Sequence, residues 1–381
     1  MESETASPAL RRLERTLPRR YYVDPEHYRR ELEVFWLGSW LYACRAAEIA
    51  PRDFKVIEVG DQSVIVTRTL QGRLAAFHNT CRHRGALLCD GSEGRFVGGS
   101  IVCPYHGWTY SLDGELLGAR HQLPVADFRR QDHPLHRVAV GEWAGCVLIH
   151  LAGDAAPPLP AAIAEVRTTL AHWPLADLAV AHRREWTVAC NWKVYWENFS
   201  ECFHCPGVHP ELCELVPIYG RGLQTPEDDP ARDPAASAEP AGLAPGAVTW
   251  SLDGRALGPA FPDLDDDERR RGQTFGVVRP GWFAVAHVDY VRLVRVLPRG
   301  PGSTLLTAEW LFPPEVIAAP GFDRQRAAAF GTRVMEQDAR ICELHQRGLR
   351  SQRFDTGVLV PQEYGVHDFQ SWVRRGLGEA D

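Results

Sequence analysis

The segments Cys81-Arg-His83 and Cys103-Pro-Tyr-His106, separated by 19 residues, decide how the first half of this chain must fold. Each segment contributes one thiol and one imidazole, so two loop tips have to face each other, and Gly85, Pro104 and Gly107 can supply the tight turns. Two thiolates and two imidazoles suit a [2Fe–2S] cluster in which the histidines hold one iron and raise the reduction potential. The pattern therefore predicts an electron-transfer centre.

A tetrahedral zinc site could be built from the same four side chains. Zinc-binding motifs usually place Cys beside Cys and His beside His, whereas both segments here combine one of each. The mixed segments favour the iron–sulfur interpretation, and a zinc site is the alternative.

The length and composition are those of a large globular protein. With 381 residues the chain is long enough for two or three domains, and we expect two. Hydrophobic residues make up 45% and charged residues 24%, which leaves ample apolar material for a core. The net charge is −7 and no long basic tract is present, so we expect no nucleic-acid partner.

The sequence gives no signal for export or membrane insertion. Its first residues lack the basic and apolar regions of a secretory signal, and no apolar run approaches the roughly 18 residues of a membrane-spanning helix. We therefore expect a cytoplasmic protein without a membrane partner. Eight cysteines outside the cluster motif are expected to be small buried hydrophobic residues rather than reactive groups. They are Cys44, Cys89, Cys146, Cys190, Cys202, Cys205, Cys213 and Cys342.

Short β-branched runs between about residues 52 and 151 alternate with Gly, Asp and Asn turns. The clearest runs are Lys55-Val-Ile-Glu-Val59, Ser63-Val-Ile-Val-Thr67 and Cys146-Val-Leu-Ile-His150. This pattern predicts a small all-β domain. The Pro- and Gly-rich stretch 153–160 marks its boundary, because these residues interrupt regular structure.

A second group of strands is predicted at residues 273–279, 282–297 and 303–312. The connections between them are short, so antiparallel pairing is expected. Residues 224–246 are rich in Pro, Ala, Asp and Glu without an apolar period, which predicts a surface loop. The acidic-then-basic run 265–271 predicts a solvated helix face and no function.

Two histidines follow a stretch with helical periodicity. Residues 191–205 are predicted to form a helix, because aromatic residues recur three or four positions apart and form one apolar stripe. They are Trp192, Tyr195, Trp196, Phe199 and Phe203. Pro206 ends this helix, so His204 at the helix end and His209 just beyond it can converge on one metal ion.

A carboxylate on the C-terminal helix completes a three-ligand set. Two imidazoles and one carboxylate on one face of a metal are the ligands of non-haem Fe(II) oxygenases that activate O2. The helix predicted at residues 322–347 has an apolar stripe containing Phe330 and Val334, and Asp338 falls within it. An inward carboxylate is costly unless a cation compensates it, so Asp338 is the expected third ligand and His345 the reserve candidate.

A competing interpretation groups Cys202, His204, Cys205 and His209 as a zinc knuckle. On one continuous helix Cys202, His204 and Cys205 would point in different directions, which counts against a shared zinc ion. The iron triad is the preferred interpretation.

Three motifs in this order resemble those of Rieske non-haem iron oxygenase α-subunits, the ring-hydroxylating dioxygenase family. They are C-R-H-R-G with C-P-Y-H-G-W at the cluster, N-W-K-x-x-x-E-N-x-x-E-C-F-H-C-x-x-x-H-P around the later histidines, and Q-D-x-x-I-C-E in the last helix. The resemblance covers nearly the whole chain. It implies an α+β fold, with an all-β Rieske domain and a helix-grip catalytic domain whose antiparallel sheet wraps a long helix.

We expect three segments on this basis. Residues 1–40 would form an N-terminal helical segment that packs on the catalytic domain, 41–153 the Rieske [2Fe–2S] domain, and 154–381 the catalytic domain with its mononuclear Fe(II). Electrons would come from NAD(P)H through a separate flavin or iron–sulfur reductase.

The resemblance also implies a homotrimer in which electrons cross between subunits. Glu201 would bridge His204 and His106 of the partner subunit, and many aromatic-ring members carry Asp at this bridging position. Asn198, in the same motif, is a further catalytic candidate.

The resemblance implies that O2 is used to hydroxylate or N-demethylate a small organic substrate. Glu at the bridge and the H-C-x-x-x-H-P-E-L setting are similar to the branch that oxidises quaternary ammonium compounds. Four aromatic residues could enclose a methylated ammonium group by cation–π attraction: Trp250, Trp282, Phe283 and Tyr290. Hydroxylation of an aromatic or other carboxylic substrate is the alternative. A Rieske electron carrier or a zinc-stabilised binding module is the non-enzyme alternative, although a carrier needs only residues 52–151.

Overall fold

The computed structural model describes residues 9–229 and 242–379. Within it the chain divides into two compact units. The first unit contains the described residues up to 31, residues 165–174, and those from 178 onward, and the second contains residues 32–164 and 175–177. The second unit thus begins after Glu31, and the chain first returns to the first unit after Ala164. From the sequence, the corresponding domain boundaries are expected after residues 40 and 153.

The first unit begins with a short strand and two short helices. These are β1 (Glu14–Arg15), α1 (Arg20–Val23) and α2 (Pro25–Glu31). A π-helical turn at Leu32–Trp36 follows at the start of the second unit.

The second unit is an all-β structure with one short helix. Its elements are β2 (Leu41–Arg45), β3 (Asp53–Val59), β4 (Gln62–Arg68), β5 (Leu74–His78), β6 (Glu93–Arg95), β7 (Ser100–Val102), β8 (Trp108–Ser111), β9 (Leu116–Ala119), β10 (Arg137–Trp143), β11 (Cys146–His150) and α3 (Leu159–Ala162). Seven strands form an antiparallel sheet in the order β2-β11-β10-β5-β4-β3-β6, and β7-β8-β9 form a smaller sheet. The three predicted strand segments are confirmed, since they lie in β3, β4 and β11.

The rest of the first unit combines one antiparallel sheet with helices. Its elements are α4 (Ala164–Thr169), β12 (Ala179–Val188), α5 (Trp192–Phe199), α6 (Cys205–Val208), α7 (Pro210–Leu215), α8 (Asp266–Arg271), β13 (Gln273–Val278), β14 (Trp282–His287), β15 (Val291–Gly300), β16 (Ser303–Phe312), α9 (Pro314–Ala318), α10 (Arg324–Leu349), β17 (Val358–Leu359) and α11 (Tyr364–Gly376). The sheet order is β12-β16-β15-β14-β13, and β17 pairs with β1. The long helix α10 packs on β12 and α5. The predicted α+β fold is confirmed.

The register of the large sheet fixes which side chains share a face. Phe275, Val285, Arg292 and Trp310 stand directly opposite one another on β13, β14, β15 and β16. Directly paired residues of an antiparallel sheet point to the same side, so these four side chains form one row.

The prediction of one continuous strand over residues 282–297 is wrong. It is a hairpin of β14 and β15, closed by a hydrogen bond from the His287 N–H to the Tyr290 carbonyl at 2.8 Å. Asp289 lies in this turn, and its buried carboxylate accepts hydrogen bonds from Thr249 Oγ1 and the Leu257 N–H. An Asp inside an apolar run was the available signal for the turn.

The helix predicted over residues 191–205 is also too long. It ends at Phe199, where the Ser200 hydroxyl donates to the Trp196 carbonyl at 2.6 Å. The Glu201 side chain then accepts from the His204 N–H at 3.1 Å and stabilises a separate turn. Phe203, predicted on the buried stripe, is therefore 48% exposed.

Two surface predictions can be compared with the described residues. Of the loop predicted at 224–246, residues 230–241 lie outside the described part of the chain, and Pro226–Asp228 forms a single 3-10 turn. The run 265–271 forms α8, capped by Asp265, as predicted. Within residues 9–229 and 242–379, no helix has both the length and the apolar character needed to cross a bilayer.

Candidate active site and metal centres

Two matching loops of the second unit present the cluster motif. In each loop the cysteine carbonyl accepts a hydrogen bond from the N–H of a glycine four residues later, from Gly85 to Cys81 and from Gly107 to Cys103, both at 3.0 Å. Both glycines have positive φ, 77° and 69°, a conformation that a side chain would strain. The two glycines thus close the loop tips as the sequence predicts.

The four predicted ligands are brought together at these tips. Cys81 and Cys103 are each 3% exposed, whereas His83 is exposed and its ring centroid lies 4.7 Å from that of His106. Trp108 stacks on the His83 ring at 5.0 Å. Two buried thiols and two neighbouring, less buried imidazoles are the donor set of a [2Fe–2S] cluster with mixed Cys and His ligation, which these four side chains would hold.

The second set of ligands converges in the first unit. His209 Nε2 lies 2.9 Å from Asp338 Oδ1 and 3.2 Å from His204 Nε2, and His204 Nε2 lies 3.5 Å from the same carboxylate oxygen. His204 and His209 flank α6, and Asp338 comes from α10. The structure thus brings the predicted triad together, while His345 stays outside it.

Neighbouring side chains fix the tautomer of both imidazoles. His204 Nδ1 lies 2.5 Å from Glu201 Oε1, and His209 Nδ1 lies 2.8 Å from Gln337 Oε1. Gln337 Nε2 donates to Glu211, so its oxygen is the atom that faces His209. Each Nδ1 therefore carries a proton, and both Nε2 atoms face one point, where a bound metal would take their lone pairs. This donor set fits a divalent metal, and Fe(II) in particular.

The electrostatics of the triad reflect its burial and its hydrogen bonds. Burial alone would lower the pKa of His204, but its hydrogen bonds with Asp338 and Glu201 raise it to about 9. Burial alone would raise the pKa of Asp338, but hydrogen bonds with His204 and His209 lower it to about 2. Without a bound cation, Asp338 is therefore ionised at neutral pH and His204 carries a second proton on Nε2, which a metal bound at that atom would displace.

Asn198 and the cysteine pair also touch this site. Asn198 Nδ2 lies 3.2 Å from His204 Nε2, so this predicted candidate is adjacent to a ligand atom. Cys202 and Cys205 form a disulfide, with Cα atoms 5.0 Å apart. Both are buried, as expected, but they are bonded to each other, because the continuous helix on which they would point in different directions ends at Phe199.

A cavity of about 270 Å³ opens at the triad. Its wall includes the side chains of Tyr219, Trp250 and Phe275. The ring centroids of Tyr219 and Phe275 lie 6.4 and 6.3 Å from that of the Trp250 indole. Arg279 and Arg292 also face this cavity. The site therefore combines metal ligands, aromatic rings and cationic groups around one small volume.

The predicted substrate-lining residues divide into two groups. Trp250 lines the cavity, whereas Trp282, Phe283 and Tyr290 are not among its described lining residues. Trp282 pairs with Arg295 on the opposite face of the sheet, and Phe283 stacks behind Phe199 at 3.9 Å. The Tyr290 hydroxyl donates a hydrogen bond to the Trp250 carbonyl and thus holds the backbone of a cavity residue in place.

Sequence reasoning missed Tyr219, Phe275, Arg292 and Gln337. Alternation along β13 places Phe275, Val277 and Arg279 on one face, a signal that was readable once that face was known. Gln337 stands next to Asp338 in the sequence, which could have suggested a supporting role.

Comparison with known proteins agrees with this geometry. The model of the ring hydroxylating alpha subunit (catalytic domain) matches residues 175–379, and that of the Rieske [2Fe-2S] domain matches residues 39–129. The glycine betaine monooxygenase oxygenase subunit of Chromohalobacter salexigens is 31% identical over 94% of this chain and 84% of its own length. The chloroplastic choline monooxygenase of Arabidopsis thaliana is 27% identical over 95% and 83%.

A solved structure shows the same fold. The quaternary ammonium Rieske monooxygenase CntA in complex with L-carnitine superimposes with a TM-score of 0.71 and 22% identity, over 96% of each chain. Fold and site together define a two-domain iron oxygenase with one cluster-binding and one catalytic domain. The chain belongs to the family of Rieske-type ring-hydroxylating oxygenase α-subunits. It is the oxygenase component of a system with a separate reductase, and its cofactors are a Rieske [2Fe–2S] cluster and a mononuclear iron.

Proposed function

We propose that this chain oxidises a small quaternary ammonium compound and removes one of its N-methyl groups. The aromatic wall formed by Tyr219, Trp250 and Phe275 beside the triad carries this proposal. The faces of such rings attract a trimethylammonium group by cation–π interaction, more strongly where water is excluded. Relatives named for glycine betaine and choline oxidation support the same substrate class.

The reaction balances as a monooxygenation. One N-methyl group, O2, two electrons and two protons give formaldehyde, water and the protonated tertiary amine. The electrons come from the reductase, and one oxygen atom of O2 ends in formaldehyde while the other ends in water.

The chain's own residues have distinct tasks in this proposal. His204, His209 and Asp338 would hold the iron, which supplies O2 activation when bound. Gln337 and Glu201 keep the two imidazoles oriented through their Nδ1 atoms. The aromatic wall holds the ammonium end so that one methyl group faces the ligand atoms.

Electron delivery is proposed to occur between subunits of a trimer. Glu201 would connect His204 to His106 of the partner subunit, and the hydrogen bond that His204 Nδ1–H donates to Glu201 Oε1 at 2.5 Å supports the half of this bridge within one chain. A flavin- or iron–sulfur-containing reductase that uses NAD(P)H would supply the electrons. A cytoplasmic location is part of the proposal, and cell fractionation tests it.

The test is product analysis with the holoenzyme, a surrogate NADH-dependent reductase and a panel of substrates. We expect quaternary trimethylammonium compounds to yield the dimethylamine product and formaldehyde in equal amounts, with matching O2 consumption. Turnover of aromatic or other carboxylic acids, with no product from any quaternary amine, would contradict the proposal and favour the hydroxylation alternative.

A further inference from the structure

A buried arginine stands beneath the aromatic wall of the cavity. Arg292 lies on β15 in the same row as Phe275 of β13, so both side chains point to the cavity face of the sheet. Both residues line the cavity. The guanidinium is therefore presented to the space that the aromatic rings enclose.

The hydrogen bonds of Arg292 leave its charge without a partner among the described residues. The residue is 5% exposed, its Nη1 donates to the Gly331 carbonyl at 3.2 Å, and its buried Nε has no acceptor in the described structure. No described carboxylate lies within ion-pair distance of it. A buried cation that lacks an anion is costly, which indicates that the anion arrives with a ligand.

The neighbouring helix is shaped to admit this side chain. A Cβ at Gly331 of α10 would lie 2.7 Å from Arg292 Nη1, so the glycine leaves the room in which the guanidinium rests. Trp250 Nε1 is a second buried donor without an acceptor among the described residues, and Trp250 lines the same cavity. Arg292 Nε and Trp250 Nε1 have almost no accessible surface, whereas Arg292 Nη2 is neither hydrogen-bonded to a described residue nor among the fully buried atoms, so Nη2 is the donor that a ligand in the cavity can reach.

We propose that Arg292 binds the carboxylate of the substrate and makes the enzyme specific for zwitterionic quaternary ammonium carboxylates. The inference rests on the proposed function, because it adds a carboxylate site to the ammonium site at the aromatic wall. A guanidinium pairs with a carboxylate through two parallel hydrogen bonds, which a hydroxyl cannot reproduce. A substrate with only a cationic end would leave Arg292 unpaired and would meet its repulsion.

Arg279 is the other arginine of the cavity and serves as a comparison. It is partly exposed, and its guanidinium lies 5.5 Å from the centre of the Phe369 ring. Nε of Arg279 is also buried without an acceptor among the described residues, but the Arg279 side chain is more exposed than that of Arg292, so an unpaired charge costs less at Arg279 than at Arg292. The structure therefore assigns the carboxylate to Arg292.

The first experiment uses the unmodified holoenzyme and four ligands of matched shape, with calorimetric measurement of Kd. Glycine betaine carries both charged ends, choline only the cation, tert-butylacetate only the carboxylate, and neohexyl alcohol neither. We expect glycine betaine to bind about 10- to 100-fold more tightly than choline, and tert-butylacetate more tightly than neohexyl alcohol by a similar factor. Choline binding as tightly as glycine betaine would overturn the inference.

The second experiment locates the carboxylate site. Arg292→Gln should remove the advantage of each carboxylate ligand over its alcohol while leaving choline affinity unchanged or improved, and Arg292→Lys should restore part of that advantage. Arg295→Gln, a matched control on the opposite face of β15, should leave all four affinities unchanged. Loss of carboxylate preference in Arg279→Gln but not in Arg292→Gln would contradict the assignment.

Folding and function are separated by two readouts. The visible Rieske spectrum, iron content and melting temperature show whether Arg292→Gln is folded. If this variant does not fold, the four-ligand series on the unmodified protein still tests the carboxylate preference. Failure of every quaternary amine to bind or react would remove the proposed function itself. Demethylation of choline in preference to glycine betaine would remove only the carboxylate site.

Discussion

At the scale of single residues, hydrogen bonds to neighbouring side chains orient the two imidazoles of the triad for metal binding. Glu201 and Gln337 accept hydrogen bonds from Nδ1 of His204 and His209, so the Nε2 atoms are the ones that face Asp338. The two Nε2 atoms lie 3.2 Å apart and beside the same carboxylate oxygen, so one cation bound there would contact all three groups. The arrangement makes the ligand set testable one residue at a time.

Asp338→Ala should lose the mononuclear iron and keep the cluster. The substitution removes the only anionic ligand of the triad, while the cluster ligands lie in a different unit. Iron analysis should fall by one atom per chain with an unchanged Rieske spectrum. Glu336→Ala is the matched control, since Glu336 is exposed on the same helix and pairs with Arg184. Unchanged iron content in Asp338→Ala would exclude it as a ligand.

Glu201→Gln should keep both metal centres and slow turnover by about 100-fold. The amide can still accept the His204 hydrogen bond, but it loses the charge proposed to link His204 to the partner subunit. The readout is reoxidation of the reduced cluster with substrate and O2, followed by its visible spectrum. Exposed Glu214→Gln is the control, and full activity in Glu201→Gln would disprove the bridge.

Glu197 should make folding stability fall as the pH rises. Burial raises the pKa of Glu197 from 4.5 to about 7, against the opposing effect of hydrogen bonds from Tyr22 and Gln370 and of the Lys193 charge, while Glu363 adds to the rise. The folded state therefore holds a proton that the unfolded chain has released, so the stability present below about pH 4.5 is lost as the pH passes about 7.

Glu197→Gln should remove this dependence. Urea unfolding at about pH 5 and about pH 8 measures the free energy of unfolding of both proteins. Relative to the unmodified protein, the variant should be more stable at the higher pH than at the lower one, by at most on the order of 3 kcal/mol. A stability difference that does not change with pH would show that Glu197 is ionised in both states.

The candidate metal-binding residues could be selected from the sequence because metal ligation requires particular residue types at short spacing. Cys81, His83, Cys103 and His106 lie on two loop tips, and His204 and His209 are five residues apart. Arg292 could not be predicted in this way. Its place in the cavity depends on the register of strands distant in the sequence, and in isolation it reads as an ordinary strand residue.

At the scale of elements, a buried ion pair ties α2 to α5. Lys193 Nζ lies 2.6 Å from Glu31 Oε2, and both side chains are completely buried. Trp192 Nε1 donates to the same oxygen at 2.9 Å, and Asn191 Oδ1 accepts from Lys193 at 2.8 Å. These contacts join the N-terminal segment to the helix that leads into the triad.

Lys193→Met should therefore destabilise the protein by about 3–5 kcal/mol, because it leaves the Glu31 carboxylate buried and unpaired. Denaturant unfolding measures the change. Arg29→Met is the control, since the Arg29–Glu26 pair is exposed and should contribute no more than about 1 kcal/mol. Equal effects of the two substitutions would show that the buried pair is not needed for stability.

Element types were easier to predict than element ends. Periodicity identified α5 and α10, but the end of α5 depends on two side-chain hydrogen bonds, from Ser200 to Trp196 and from His204 to Glu201. Such local competition leaves the apolar period unchanged. For this reason the stripe continued through Phe203 in the prediction although the helix does not.

At the scale of the whole molecule, the chain combines two tasks in two units. The second unit carries the cluster ligands on exposed loop tips, and the first carries the triad, the aromatic cavity and Arg292. A pure electron carrier would need only the former. The catalytic-domain family model matches residues 175–379, the part of the chain that contains the triad and its cavity.

Mössbauer spectroscopy of anaerobically reduced protein grown on isotopically enriched iron tests the central claim most directly. We expect cluster iron and a separate high-spin ferrous signal in a ratio of two to one, with the ferrous signal perturbed by glycine betaine. Cluster iron alone, with zinc or no metal at His204 and His209, would contradict this claim.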